Sequence, residues 1–162
     1  MLTANASRPN VPEGYGIAAA DEGLGLLPWS WAEERLVGRH IWWLATTKAN
    51  GAPHLIPVWA VWLGDGVAFS TDEKSQKARN IARDPRVSIT PERGTQSVII
   101  EGVVEDLPAD RKADYNAAYQ ETWELDVSTM EGPVWIIRAK KVFGFIDEDN
   151  GFPLNATRWT FD

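Results

Sequence analysis

The fold is decided by residues 40–71, which read HIWWLATTKANGAPHLIPVWAVWLGDGVAFST. This stretch is dense in β-branched and aromatic residues, a composition that favours strands. Asn50-Gly51 is a strong hairpin signal because both residues tolerate positive φ, and Gly64-Asp65-Gly66 predicts a second turn. We therefore expect three antiparallel strands, near residues 40–47, 53–63 and 66–70. Pro57 cannot donate to a ladder, so it predicts an edge, a bulge or backbone that faces something other than a strand.

The flanking sequence extends this pattern. A helix ending near Gly38 is predicted before the stretch, with Ser30 as its N-cap and Glu33 completing a capping box. A short helix that Pro85 ends and a longer helix beginning at Pro108 are predicted after it. Further strands are expected near residues 86–90, 96–107, 133–149 (bent at Gly144) and 156–161. The fold class is therefore mainly β with flanking helices, with six to seven mostly antiparallel strands in a closed or partly closed barrel.

Length and composition set the class of protein. The 162 residues are enough for one domain, which we place at 28–162. Residues 1–27 are rich in Pro, Gly and Ala and predict an irregular N-terminal arm. No apolar run approaches the roughly 20 residues that span a bilayer, and the N-terminus lacks the pattern of a signal peptide. The chain has no cysteine, which fits a cytoplasmic location.

Charge and motifs exclude several kinds of chemistry. The net charge of −7 argues against a nucleic-acid partner. The two histidines form no HExxH-type pair, so no metal site is expected. The sequence has no GxSxG, GxxxxGK[ST] or GxGxxG motif, and no side chain is marked as catalytic. If the protein is an enzyme, a bound cofactor could carry the reaction.

Nine tryptophans are an unusual number for this length. One interpretation is a tryptophan-rich core with an oligomer interface. The other is that some of these rings line a site for a flat, conjugated ligand.

A basic segment stands out in this acidic chain. Between Ser70 and Arg93 it has six basic residues against four acidic ones, the basic ones being Lys74, Lys77, Arg79, Arg83, Arg86 and Arg93. The preceding strand ends at Ser70-Thr71 and a helix begins near Ser75. Because a helix N-terminus offers free N–H groups and partial positive charge, this corner predicts a phosphate site. A solvated amphipathic helix explains the same charges, and spacing alone leaves both interpretations open.

A longer pattern resembles a known family. The segment WLATTKANGAPHLIPVWAVWLGDGVAFSTDEKSQKARNIARDPRVSI, residues 43–89, resembles the pyridoxamine 5′-phosphate oxidase-like split β-barrel proteins, which bind flavins or deazaflavins. The later VFGF and TRWTF segments resemble the branch that uses the deazaflavin coenzyme F420. The resemblance implies an FMN-binding-like split barrel and a homodimer with the cofactor groove at its interface.

The resemblance also implies site residues. Ser70, Thr71, Lys77 and Asn80 would hold the cofactor phosphate. The backbone of Pro57, Val58 and Trp59 would run beside the cofactor ring, and Arg158 and Trp159 would approach from the other subunit. Ser75, also a candidate, stands where some relatives carry a second basic residue. This difference would weaken phosphate binding unless Lys74 substitutes for it.

The implied function is an F420-dependent oxidoreductase that transfers a hydride from the reduced deazaflavin to an apolar, conjugated small molecule. The alternatives are an FMN-binding flavoprotein of the same family and a non-catalytic flavin, deazaflavin or haem binder. ATRWTFD, residues 156–162, offers one arginine, so oxidation of a vitamin B6 phosphate is not expected.

Overall fold

The strands and helices follow the predicted order. The structure is a computed structural model that describes residues 3–22, 25–148 and 151–161. Its elements are β1 (Ala4–Ser7), α1 (Trp29–Leu36), β2 (Trp42–Thr47), β3 (Pro53–Val58), β4 (Ala60–Trp62), β5 (Gly66–Ser70), α2 (Gln76–Arg83), β6 (Arg86–Pro91), β7 (Gln96–Asp106), α3 (Lys112–Trp123), β8 (Val134–Ile146), α4 (Phe152–Asn155) and β9 (Thr157–Phe161). The mainly-β fold class is confirmed.

All strand pairings between described residues are antiparallel. The main order is β1-β9-β8-β7-β6-β2-β3, and the β4–β5 hairpin joins it where β5 pairs with β8. Strand β8 pairs with β7 along its length. Its other edge pairs with β5 at residues 134–138 and with β9 at residues 141–144. This division of one strand between two partners gives the split barrel that the resemblance implied.

Both predicted turns are present. The Asn50-Gly51 turn closes the β2–β3 hairpin, where the Lys48 N–H donates to the Ala52 carbonyl at 2.8 Å. Gly51 and Gly64 have φ values of 82° and 84°, which L-residues rarely adopt.

The long strand β8 is irregular at Lys140 and not at Gly144. The β7–β8 register shifts between Glu101 and Gly102, which pair with Lys141 and Ala139 and leave Lys140 as the extra residue of a bulge. Gly144 itself pairs regularly with Val98, so the irregularity in the ladder lies four residues before the predicted bend. That glycine is instead required by packing, because a Cβ there would lie 2.5 Å from the Trp159 ring.

Two apolar clusters form the core. The larger lies inside the barrel and includes Trp42, Leu44 and Ile100, all fully buried. The smaller lies between α3 and the β4–β5 side of the sheet, where Ile136 packs with Tyr119. Burial of each large side chain contributes about 1.5–3 kcal/mol of hydrophobic stabilisation.

The N-terminal arm was predicted to be irregular, but part of it forms a strand. Strand β1 pairs with β9, with Ala4 opposite Phe161. The Arg8 side chain then donates to the carbonyl oxygens of Ala19, Glu22, Leu154 and Ala156. The segment Ala4–Ser7 has little strand propensity of its own, so the open edge of β9 accounts for the strand.

Two predicted element boundaries are also wrong. Helix α1 begins at Trp29 with Pro28 as its N-cap, and the Pro28 carbonyl accepts from the Trp31 N–H at 3.0 Å. Ser30 is therefore the second helical residue and caps nothing. The strand predicted at 53–63 is interrupted at Trp59, and the short helix α4 was not predicted.

Within the described residues, no helix combines the length and apolar character needed to cross a bilayer.

Candidate functional site

The chain changes from one group of strands to the other at Trp59. Strand β3 pairs with β2 and is the last strand of the main order, whereas β4 pairs with β5. Pro57 therefore lies on an edge strand, one of the three explanations that its sequence position allowed. Ala60 pairs with Phe69, so Trp59 and Ser70 adjoin just beyond the end of this ladder. The predicted ring wall and the predicted phosphate corner thus meet at the split.

Hydroxyl groups join the end of β5 to the start of α2. Ser75 is the N-cap, and its Oγ accepts from the Ala78 N–H at 3.2 Å. The Thr71 hydroxyl lies 3.4 Å from the Ser75 Oγ. The Gln76 and Lys77 N–H groups have no hydrogen-bond partner among the described residues. Ser75 therefore shapes the helix start, and two donors remain for an anion.

The basic residues of this segment divide by partner. Arg79 donates to the Lys74 carbonyl and to Gln76, and Arg83 donates to the Thr47 carbonyl. Arg86 pairs with Asp84, and Arg93 donates to the carbonyls of Glu34 and Arg35. In contrast, the ammonium groups of Lys74 and Lys77 have no hydrogen bond or ion pair to any described residue. Lys77, half-buried in the first turn of α2, is the free cation nearest the two free N–H groups.

Ser70 and Thr71 open into an acidic cleft. The cleft has a volume of about 540 Å³, and its lining residues are Ser70, Thr71, Asp72, Glu73, Lys74, Met130, Glu131, Gly132 and Pro133. Three carboxylates and one ammonium line it, so Coulomb repulsion opposes an anion in the cleft itself. An anion is better accommodated towards Lys77 than beside the carboxylates.

Asn80 does not face solvent. Its side chain is 2% exposed, its Nδ2 donates to the Thr46 Oγ1 at 2.9 Å, and its Oδ1 accepts from Gln76 at 2.8 Å. The sequence placed Asn80 correctly on the face of Lys77. The direct contact with a phosphate that the resemblance implied is not available to it.

The predicted ring wall has one buried and two exposed residues. The Val58 side chain belongs to the barrel core, and Pro57 is exposed. Trp59 is 49% exposed and is the exposed member of the nine tryptophans. Its ring stacks on Trp123 with 4.7 Å between centroids and 7° between planes, and the Arg39 guanidinium lies 5.2 Å from the Trp123 ring. Trp59 therefore presents a flat surface held in place. Seven of the other rings pack in the two apolar clusters, and Trp43 is half-buried on the opposite side of β2 from the core.

Arg158 and Trp159 point to opposite sides of β9. Trp159 is fully buried and packs against Trp29, Trp31 and Gly144, so its ring is closed to a ligand. The predicted approach of Trp159 to a cofactor is therefore not possible for this ring. Arg158 lies on the outer side and donates to the Ser7 hydroxyl at 3.1 Å. Five strand steps separate it from β3, about 24 Å along the sheet, so one protomer does not bring it to Pro57.

The outer face of the main sheet carries residues that the sequence did not single out. We define it by two cross-strand rows. One row contains Arg158, Phe143, Ile99, Thr90, Trp43 and Pro57, and the other contains Thr160, Lys141, Glu101, Ser88, Ala45 and Leu55. A groove of about 490 Å³ crosses the second row. Buried and half-buried side chains alternate along WWLATT, residues 42–47, in the structure. The residue types themselves do not alternate between apolar and polar, so the sequence carried no signal for this face.

Comparisons with known proteins agree with this architecture. The family model described as pyridoxamine 5′-phosphate oxidase matches residues 32–141. No curated protein matches the chain.

Three solved structures share the fold. A haem-binding protein from Mycobacterium smegmatis has a TM-score of 0.60 and 24% identity, over 73% of this chain and 54% of that one. An F420 reductase has a TM-score of 0.56 and 23% identity, over 68% of this chain and 94% of that one. A FAD-binding protein from Mesorhizobium loti has a TM-score of 0.57 and 19% identity, over 83% of this chain and 96% of that one. This chain thus spans about half the length of the haem-binding protein. Because the family model covers more than half of the chain, the protein belongs to the pyridoxamine 5′-phosphate oxidase family.

Proposed function

We propose that this protein is an oxidoreductase that binds a phosphate-bearing flavin-type cofactor at the split of the barrel. Coenzyme F420 is the favoured cofactor and FMN the alternative. The observation that carries the proposal is Lys77, a cation without a partner among the described residues, beside two free N–H groups at the start of α2. The fold shared with an F420 reductase and a FAD-binding protein supports the same class of ligand.

The residues at the corner fit a phosphate. Lys77 would supply the charge, Gln76 and Lys77 the backbone donors, and Thr71 and Ser75 hydroxyl groups. The edge backbone of Pro57 to Trp59 would lie beside the ring. When bound, a reduced deazaflavin or flavin supplies the hydride.

The substrate side of the proposal rests on Trp59. Its exposed, immobilised ring suits an apolar, conjugated small molecule, because a flat aromatic surface gains contact area without losing much side-chain entropy. Holding donor and acceptor at reactive distance can lower a barrier by roughly 7–11 kcal/mol. We assign no proton donor among the side chains.

We further propose that the functional unit is a homodimer formed through the outer face. The row from Arg158 to Pro57 crosses six strands and carries apolar side chains at Trp43, Ile99 and Phe143. A two-fold axis near the middle of this row would place Arg158 of the partner subunit over Pro57, an isologous arrangement. The predicted approach of Arg158 from the other subunit would follow from this symmetry.

Ligand titration tests the proposed function. Purified protein is titrated with F420 and with FMN while tryptophan fluorescence is followed, and binding of one of them is expected. If neither F420 nor FMN binds at concentrations on the order of tens of micromolar, the proposal is contradicted.

Turnover separates the proposal from a second candidate, a non-catalytic binder, which the fold shared with a haem-binding protein favours. Reduced cofactor is mixed with a panel of conjugated acceptors. Oxidation that depends on the acceptor supports an enzyme, whereas binding without turnover supports the binder. Pyridoxamine 5′-phosphate supplied with FMN is expected to remain unoxidised.

A further inference from the structure

A buried hydrogen-bond chain ties α2 to β2. Thr46 and Asn80, 34 positions apart, are 3% and 2% exposed and are joined by the 2.9 Å bond between Asn80 Nδ2 and Thr46 Oγ1. Gln76, on the solvent side, donates to the Asn80 Oδ1 and extends the chain to the first turn of α2. On the other side, His54 Nδ1 lies 3.4 Å from the Thr46 hydroxyl.

This chain matters because α2 has little apolar contact with the barrel. The helix has eight residues, and its buried apolar side chains are Ala78 and Ile81. So small an apolar face fixes the rotation of a helix weakly. A buried hydrogen bond fixes it better, because rotating the helix would take the Asn80 Nδ2 away from the Thr46 hydroxyl and leave a buried amide N–H without an acceptor.

The rotation of α2 sets the direction of Lys77. Gln76 and Lys77 lie four and three residues before Asn80, so all three share one side of the helix. We propose that Thr46 and Asn80 are positioning residues for the anion site: they hold α2 on β2 in the rotation that presents Lys77 and the free N–H groups to a phosphate. This role rests on the proposed function, because it presumes a phosphate-bearing cofactor.

The test compares ligands with and without the phosphate. Thr46→Val removes the hydroxyl and keeps the shape, and Thr46→Ser keeps the hydroxyl as the matched control. Dissociation constants are measured for FMN and riboflavin, or for F420 and its phosphate-free ribityl deazaflavin if the wild type binds F420. We expect Thr46→Val to raise the dissociation constant of the phosphate-bearing ligand about tenfold. The phosphate-free ligand should be unaffected, and Thr46→Ser should bind like the wild type.

A double-mutant cycle identifies the route of the effect. If Thr46 acts through the orientation of α2, then Thr46→Val should cause a smaller further loss of affinity in a Lys77→Ala background than in the wild type, because only the backbone N–H groups then remain to be positioned. Gln76→Ala provides a second variant at an exposed position, where loss of the fold is not expected, and it should show the same phosphate-selective weakening.

The outcomes are distinguishable. Equal weakening of both ligands, or full additivity with Lys77→Ala, would overturn the positioning role and leave the proposed function standing. Wild-type protein that binds none of the four ligands would overturn the proposed function, and the positioning role with it.

Discussion

Trp42 and Trp43 are neighbours in β2 and face opposite sides of the same sheet. Trp42 is fully buried in the barrel, whereas Trp43 is half-buried on the outer face. The inner side is covered by the chain itself, and the outer side is covered only in part. An apolar residue is therefore not enough to identify a core position, because the outer face also carries apolar side chains, among them Trp43, Ile99 and Phe143.

The same contrast separates two cations of α2. Arg83 donates to the Thr47 carbonyl, whereas Lys77 has no partner among the described residues. In both pairs, one member, Trp42 or Arg83, finds its contacts within the protomer and serves the fold. The group left without contacts marks where a ligand or a second copy is expected.

The largest expected effect is on stability, from the inner member of the tryptophan pair. Trp42→Ala should lower the free energy of unfolding by about 3–5 kcal/mol, because it leaves a cavity in a closed core. Trp43→Ala, the matched control, should cost clearly less. Urea denaturation of both variants measures the difference, and equal losses would remove the distinction between the two faces.

The second effect is on cofactor binding. Lys77→Ala should weaken binding by about 1.5–3 kcal/mol, the range for a charge-assisted hydrogen bond, with little loss of stability. Arg83→Ala is the matched control on the same helix and should leave affinity near the wild-type value. Fluorescence titration measures both. Unchanged affinity with lowered stability in Lys77→Ala would favour the solvated-helix interpretation.

The third effect is on self-association. Phe143→Ala removes an apolar ring from the row that runs from Arg158 to Pro57 and should weaken the dimer by about 1–2 kcal/mol. Tyr15→Ala removes an exposed ring outside this face and should leave association unchanged. Sedimentation equilibrium gives both dissociation constants. A wild-type protein that is monomeric at all concentrations would contradict the assignment of this face.

The smallest effect is a pH dependence within α2 and its C-terminal turn. The Arg86 guanidinium donates to both Asp84 carboxylate oxygens, and these bonds hold the pKa of Asp84 at about 2. This pKa lies below the ordinary value of about 3.9. The ionised pair therefore contributes its full stabilisation above about pH 3.9. Its contribution is lost as the pH falls through about 2.

Thermal unfolding of Asp84→Asn tests this sign. The variant should be slightly less stable than the wild type at neutral pH, and the two should converge as the medium is acidified. Glu73→Gln, on the exposed loop before α2, is the control. A difference that grows on acidification would contradict the assignment.

The fold could be predicted from local signals wherever those signals have one structural solution. Asn50-Gly51 and Gly64 predicted the turns, and the β-branched and aromatic residues of β7 and β8 predicted the strands. Ser30 misled because the helix begins one residue before it, at Trp29, so Ser30 lies within the first turn and cannot cap it. Strand β1 could not be seen, since its pairing depends on the edge of β9 and not on its own residues.

The candidate site was predictable in place but not in orientation. Sequence spacing put Lys77 and Asn80 on one side of α2, yet it could not show that Thr46 would occupy the Asn80 amide. In the same way, TRWTF was correctly a strand. Which of Arg158 and Trp159 faces the core depends on the register with β8, which no local signal reports.

The bulge at Lys140 has a consequence for how this protein divides its surfaces. Before the bulge, Ile137 and Ala139 face the barrel core, and Ile136 faces the second cluster beneath α3. After it, Val142 and Gly144 face inward, and Phe143 lies on the outer face beside Phe145, whose ring stacks on Phe152 of α4. The second copy that we propose would cover Phe143 as α3 covers Ile136. One strand would thus be completed by folding at one end and by assembly at the other.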